Sequence, residues 1–297
     1  MAAEAQQGLM HDVCLSVDEA IDMQVESFRN EAVVGNGAIR LSLLLLLLIG
    51  ASVVVRAQAD NGATGVVLLH GKQSNPGRML GLAHDLRQAG YKVATPEMAW
   101  SQRREMDVSY PQALAEIEAV ARSLAAEGAK RIVVGGHSLG ANAAIAYAGS
   151  GRAVHAVFAL APGHIPGAGN FGRAVAPGVE KAREMIKRGQ GEEKSWFPDF
   201  NQGQGRQIHT AAATYLTYFD PEGIGVMARS IAAIPRPLPI FMAVGVSDSI
   251  ACCAETAIYN MAPKHGMSQY VAVQADHDST IRVAAPALLE WLKTLPP

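Results

Sequence analysis

Three residues of this chain have the types and the placement needed to activate an alcohol: Ser138, Asp248 and His277. Ser138 is the centre of Gly136-His137-Ser138-Leu139-Gly140, which follows the apolar run Ile132-Val133-Val134 and precedes Ala141-Asn142-Ala143-Ala144-Ile145-Ala146. A serine at the corner where a buried strand becomes a helix sits in a strained backbone conformation that pushes its hydroxyl into a cleft. Glycines are needed on either side because a side chain there would strike the neighbouring strand or helix, and the alanines let that helix lie close to the sheet. Taken alone the pentapeptide could be a Gly-rich structural turn; the strand before it and the helix after it favour a nucleophile. A serine hydroxyl is a weak nucleophile until a neutral imidazole takes its proton, which is the part open to His277. A carboxylate on the far ring nitrogen, here Asp248, fixes the tautomer and stabilises the imidazolium. Asp248 in Ser247-Asp248-Ser249 is also a good turn former or helix cap, and most of the nine histidines are expected to make ordinary hydrogen bonds.

These side chains need a scaffold that brings distant loops to one edge. Strand and helix patterns alternate from Gly65 onward, predicting an α/β fold with a mostly parallel central sheet and helices on both faces. Val66 to Leu69 is a continuous apolar run, as expected of a strand buried on both sides, and it ends at His70-Gly71. Pro76 to Gly90 reads as a helix, Tyr91 to Thr95 as a strand, and Tyr110-Pro111 opens a helix with Leu114, Ile117, Val120, Ala121 and Leu124 at helical spacing. Arg131 to Val134, Val154 to Leu160, Leu238 to Val244 and Gln269 to Val273 read as further strands, and Ser279 to Leu295 as the last helix. Between His164 and Gly225 the regularity breaks down, with helical pieces near Val179 to Lys187 and Gln207 to Phe219 and another helix from Pro221 to Ile231. An irregular segment this long is read as a lid over the open end of the sheet. Ligands in open parallel sheets bind beyond the carboxyl ends of the strands, and Ser138, Asp248 and His277 each follow such an end.

On His70-Gly71, on the Ser138 pentapeptide, on Gly245 to Asp248 and on Asp276-His277-Asp278, in that chain order, the sequence resembles the α/β-hydrolase fold superfamily. The resemblance covers Gly65 to Leu295, and the compact core and modest lid are similar to those of small secreted esterases and dienelactone-hydrolase-like proteins. It implies a Ser138, His277, Asp248 triad with an oxyanion hole made by the backbone N–H of Leu139 and, from the loop after His70-Gly71, that of Lys72. The Lys72 side chain is expected in solvent, His70 is expected to brace its loop, and His137 to pack or hydrogen-bond under the turn. Asp276 and Asp278 are expected to cap loops. Trp100 and Trp196 are the candidate substrate-binding side chains, with Met98, Phe197, Phe200, Tyr215 and Tyr218 as further candidates; packing of the lid onto the core is the alternative for each.

The expected function is hydrolysis of a carboxylic ester, a small molecule, through an acyl-enzyme intermediate, with neither metal nor organic cofactor. An amidase or peptidase, a thioesterase or an acyltransferase are alternatives on the same fold. A non-catalytic binding protein on a hydrolase scaffold is the alternative of another class.

The 297 residues, 49% hydrophobic and 18% charged, suffice for a large core. Leu41 to Val55 is an apolar stretch behind Arg40, followed by Ala57-Gln58-Ala59, small residues at the spacing a signal peptidase reads. Fifteen positions fall short of the roughly 20 needed to span a bilayer. Cleavage after Ala59 and a periplasmic or secreted location without stable membrane insertion are therefore expected, with a retained anchor as the alternative. The polar, acidic prelude before Arg40 is unusual for a signal peptide, and Met23 is an alternative start. Residues 1–59 are accordingly set apart from a hydrolase domain at 60–297 whose lid spans about 164–225. Beyond Ala59 the basic and acidic residues nearly balance, which argues against nucleic acid as a partner. Cys252 and Cys253 are adjacent and cannot build a disulfide framework; two thiols are favoured over a vicinal disulfide, and no metal-binding spacing of Cys and His is present. Nothing in the composition sets the oligomeric state.

Overall fold

The computed structural model describes residues 61–248 and 254–296. The expected export segment, Cys14, Cys252 and Cys253 lie outside the described residues. Strands β1 (Thr64–Leu69), β2 (Lys92–Ala94), β3 (Arg131–Ser138) and β4 (Ala156–Pro162) alternate with helices α1 (Leu80–Gln88), α2 (Tyr110–Ala126) and α3 (Leu139–Gly149). Then come α4 (Gly169–Lys187), β5 (Lys194–Asn201), β6 (Gln204–Ala211), α5 (Ala212–Phe219) and α6 (Met227–Ala232). β7 (Ile240–Gly245), α7 (Ala254–Ala257), β8 (Gln269–Val273) and α8 (Thr280–Thr294) complete the chain. Six strands form one sheet in the order β2-β1-β3-β4-β7-β8, every pair parallel, so that β3 and its turn sit in the middle.

Strands β1, β4 and β7 are buried at every position because alternate side chains feed two different cores. Val67, Leu69, Val134, Val157 and Met242 pack on the side of α2 and α3. Val66, Leu68, Val133, Phe158 and Phe241 face the other way, onto Leu82 and Leu86 of α1 and Leu288 and Trp291 of α8. Burial of each such large side chain stabilises the fold by about 1.5–3 kcal/mol. α2 starts where the sequence places it, with a reciprocal capping box between Ser109 and Gln112 and Pro111 in the first turn.

The structure departs from the sequence-based expectation between β4 and β7. Gln207 to Ala211 belongs to a strand, not to a helix, and helix α5 begins only at Ala212. β5 and β6 form an antiparallel hairpin around Gln202 (φ +47°) and Gly203 (φ +82°), two consecutive positive-φ residues of the kind a tight hairpin turn needs. Gln-Gly is a weaker signal for this turn than Asn-Gly or Asp-Gly, which is why the hairpin is hard to see in the sequence. α4 starts ten residues before Val179, running through Gly172 and Pro177. Burial of Val175, Val179 and Ala182 along one face outweighs the poor helix propensity of those residues. α6 is confined to Met227–Ala232, and the stretch from Pro221 begins as a turn with Gly223 N–H donating to Asp220 O. Pro76–Met79 is a separate 3-10 turn ahead of α1.

Among the described residues no helix is long and apolar enough to cross a membrane. No group of three or more His, Cys, Asp or Glu side chains among them could hold a metal ion. Leu68 is fully buried at the centre of the sheet. Leu68→Ala is expected to lower unfolding stability by about 2–5 kcal/mol, read from urea denaturation at constant m-value.

Candidate active site

Ser138 ends β3 with φ +56° and ψ −119°, a conformation that L-residues avoid, and α3 starts at the next residue. The two flanking glycines make the turn possible. A Cβ on Gly136 would come within 2.4 Å of the Leu69 carbonyl oxygen, and one on Gly140 within 2.5 Å of the same atom. Four residues on, Asn142 is fully buried among alanines. Its amide nitrogen donates to His164 O and Gly225 O, both at 2.8 Å, while its oxygen accepts from Tyr110 Oη at 2.7 Å. Asn142 thus ties the loop after β4 to α3; its one visible signal is being the lone amide in an otherwise apolar helix.

The loops after β7 and β8 are stitched together by backbone bonds from Val246 N to Val273 O (2.9 Å) and from Ser247 N to Ala275 O (3.0 Å). They bring His277 Nδ1 to 2.7 Å from Asp248 Oδ2. Asp248 is nearly buried and His277 is about one-tenth exposed, a setting in which such a bond is little weakened by water. A Cβ built on Gly163 would stand 2.8 Å from Ser138 Oγ and 3.4 Å from His277 Cε1, so the hydroxyl and the imidazole share one small space over a residue without a side chain. The acidic neighbours turn elsewhere. Asp276 accepts from the Ser279 N–H at the start of α8, and these Ser279 hydrogen bonds hold its carboxyl below the usual range. Asp278 pairs with Arg78 at 3.0 Å and accepts from Gln202 Nε2 at 3.2 Å.

Two more histidines frame the site. His137 Nε2 lies 2.9 Å from the His277 carbonyl oxygen, which can only accept, so that nitrogen carries the proton. The two rings are 4.8 Å apart, and burial together with the neighbouring His277 pushes His137 down to about 4. His70 accepts from Met98 N–H at Nε2 (3.1 Å), which leaves Nδ1–H to donate to Gly71 O (2.8 Å). Burial lowers its pKa as well, so a neutral ring clamps the loop. Gly71 lies directly against the serine, where an added Cβ would be 3.2 Å from Ser138 Cβ. The loop carrying Lys72 therefore borders Ser138 on one side, and the first N–H of α3, that of Leu139, belongs to a helix turn in which donors have no intrahelical partner.

Several side chains differ from their expected places. The Lys72 side chain is buried, not solvated: its ammonium pairs with Asp199 of β5 and donates to Phe200 O at 2.9 Å. Burial pulls the ammonium below its usual pKa, opposed by the Asp199 carboxylate. Trp100 has no exposed surface; its indole N–H donates to His70 O at 2.8 Å and its ring meets His70 and Tyr110 edge-on. It braces the loop from within the core. Trp196 is 60% exposed and tilted against His209, on the opposite face of β5 from the inward-facing Phe197 and Asp199. Met98, Phe197, Tyr215 and Tyr218 are fully buried and Phe200 is half-buried, so these five serve packing. A cleft of about 420 Å³ between α4 and the end of α5 is lined by Val175, Val179, Arg183, Phe219 and Pro221 among others, and by none of Ser138, Asp248 and His277.

Two outcomes follow from this geometry. Gly163→Ala puts a methyl group 2.8 Å from the Ser138 hydroxyl and 3.4 Å from His277 Cε1, and is expected to cut hydrolase turnover by about a hundredfold or more while the circular dichroism spectrum is retained. Protons supply the second. An unfolded imidazole binds its proton near pH 6.5, but buried His137 does so only near 4 and His164, under burial and the Lys72 charge, near 3. Between those limits the unfolded chain holds more protons, so stability must fall as pH falls. Melting temperature is expected to drop steadily from pH 6.5 to 4, and His137→Gln should flatten that slope.

The family model described as "Alpha/beta hydrolase family" matches residues 66–290. Among solved structures, an α/β hydrolase from Penicillium sp. sh18 superimposes with a TM-score of 0.60 at 17% identity, covering 78% of this chain and 90% of that one. A monoacylglycerol lipase from Paleococcus ferrophilus gives 0.57 at 18% identity, covering 78% and 95%. A structure from work on the metagenome-derived lipolytic enzymes LipS and LipT gives 0.54 at 17%, covering 77% and 91%. No curated protein matches the chain in sequence. With its parallel six-stranded sheet and a family match over most of its length, the chain belongs to the alpha/beta hydrolase family.

Proposed function

We propose that this protein is a serine hydrolase that cleaves a carboxylic ester through an acyl-enzyme, with Ser138 as nucleophile, His277 as general base and acid, and Asp248 as the group that orients His277. The observation that supports this reading is the convergence of three loops: His277 bonded to Asp248 at 2.7 Å, with His277 Cε1 and the Ser138 hydroxyl both bordering Gly163. His277 takes the hydroxyl proton as Oγ bonds to the ester carbonyl carbon, and the negative charge passes to the carbonyl oxygen. Collapse of that intermediate expels the alcohol, which leaves with the proton from His277. Water, activated by the same imidazole, then releases the acid and restores Ser138.

Asp248 keeps the proton on Nδ1, so that Nε2 is the nitrogen free to act as base. The negative charge needs donors in place before it forms, and the N–H groups of Leu139 and Lys72 are the two that border the serine. Pairing of Lys72 with Asp199 leaves that ammonium unavailable for an anionic substrate, which favours a neutral ester. The reading also takes residues 1–59 as an export segment ahead of the catalytic domain, and the segment between β4 and β7 as its lid. Support for the lid comes from Gln202 at the hairpin tip, which touches Asp278 next to His277.

Turnover of a p-nitrophenyl ester and labelling by a fluorophosphonate test the assignment together. Ser138→Ala is expected to abolish both with the fold intact, and Asp248→Asn to lower kcat by about 10⁴-fold. Full activity in Ser138→Ala, or a wild-type protein inert to the probe, would refute it.

A further inference from the structure

The loop after β1 is held at three places. Its start is clamped by His70, and its far end by the bond from Gln73 N, at φ +57°, to Trp100 O (2.9 Å). Between them stands Lys72, whose main chain follows the glycine packed against Ser138. The Lys72 peptide is anchored by its own side chain. The ammonium enters the segment inserted between β4 and β7, pairs with Asp199 and bonds to Phe200 O, and lies 4.9 Å from the Phe171 ring centre and 5.6 Å from that of Phe219. Lys72 and Asp199 are 3% and 0% exposed, making this the most deeply buried ion pair in the described residues.

Asp199 is itself rigidly placed. Its Oδ1 also accepts from the Phe200 N–H at 2.8 Å, and β5 is paired along its whole length with β6. Stability alone does not account for such a pair, because replacing a buried ion pair by apolar side chains of similar volume is often neutral or stabilising. A charge-assisted hydrogen bond differs from an apolar contact in fixing both a distance and a direction. A lysine held at its tip has few ways left to place its Cα.

We propose that Asp199 is a positioning residue for the reaction at Ser138: by holding the Lys72 ammonium inside the inserted hairpin, it sets the Lys72 main-chain N–H where the oxyanion forms. The hairpin is then part of the catalytic framework as well as a cover. This rests on the assignment of Ser138 as nucleophile and of the Lys72 N–H as an oxyanion donor. Asp199 touches no reacting atom, and its effect is confined to the transition state.

The test compares wild type, Asp199→Asn, Asp199→Ala and the double variant Lys72→Met/Asp199→Leu, which removes both members of the pair and leaves Arg206, 4.0 Å from Asp199, its bond to Glu105. Each is assayed with a p-nitrophenyl ester, with a boronic acid inhibitor that forms a tetrahedral serine adduct, and by thermal melting. Loss of a whole oxyanion donor costs about a hundredfold to a thousandfold in kcat. Misplacement of one is expected to cost about tenfold to a hundredfold, with KM unchanged and boronate affinity falling in step with kcat. The double variant should melt near wild type and remain slow, and it carries the test if the single variants do not fold. The proposal is overturned if folded variants keep wild-type kcat and boronate affinity, if only KM changes, or if the double variant recovers full kcat. Ser138→Ala is run alongside. Activity that survives it removes the underlying assignment, whereas Ser138-dependent turnover indifferent to Asp199 removes only the positioning role.

Discussion

The backbone of Ser138 is forced to a positive φ between a strand and a helix that approach closely only because Gly136 and Gly140 present no side chain to the Leu69 carbonyl. A conformation of this kind costs of order 1–3 kcal/mol, and it persists only where the surroundings leave no other path. Here β3 is paired on both sides, to β1 and β4, and α3 is packed under the sheet with Asn142 bonded to the loop that carries Gly163 and His164. The two cores on either face of the sheet supply the rigidity. The hydroxyl is thereby held at the rim without help from its own side-chain contacts.

Around that turn the polar groups follow from hydrogen-bond valence. The His277 carbonyl can only accept, so His137 must carry its proton on Nε2; the Met98 N–H can only donate, so His70 must carry its own on Nδ1. Both rings are neutral braces with fixed tautomers, one beneath His277 and one beneath Gly71. They hold main chain, whereas the Asp248 bond acts on the His277 ring itself. Rings that are neutral because they are buried make the same frame sensitive to acid.

Aromatic rings stack within the inserted segment, and one buried charge pair reaches from it to the loop after β1. Phe197, Tyr215 and Phe219 stack in sequence at 4.5 and 4.3 Å, and Tyr215 donates to the Pro198 carbonyl at 2.8 Å. Those contacts fasten hairpin to helix within the insertion. The link from the insertion to the loop beside Ser138 is of another kind, a single lysine crossing from one to the other. Stacking holds the insertion together, and the ion pair joins it to the loop beside Ser138.

The parallel sheet, the serine turn and the strand ends bearing Asp248 and His277 were all legible in the residues, because each is announced locally by an apolar run, a glycine pair or a chain order. His70 as a brace and Asp276 as a cap were legible for the same reason. The hairpin was not: Gln202-Gly203 is a weak turn signal, and β6 presents only Ile208 and Thr210 to the interior. Trp100 and Trp196 looked like substrate contacts because a large aromatic in a loop reads the same whether it ends in the core, in solvent or in a cleft. The sequence by itself determined the strands of the central sheet and the chain order of Ser138, Asp248 and His277, since those depend on neighbours in the chain. Only tertiary structure decided that Lys72 is buried against Asp199, that Asn142 joins three segments and that Gly163 floors the space between serine and histidine. Each depends on residues far apart in the chain, whose meeting is fixed by packing and leaves no local pattern.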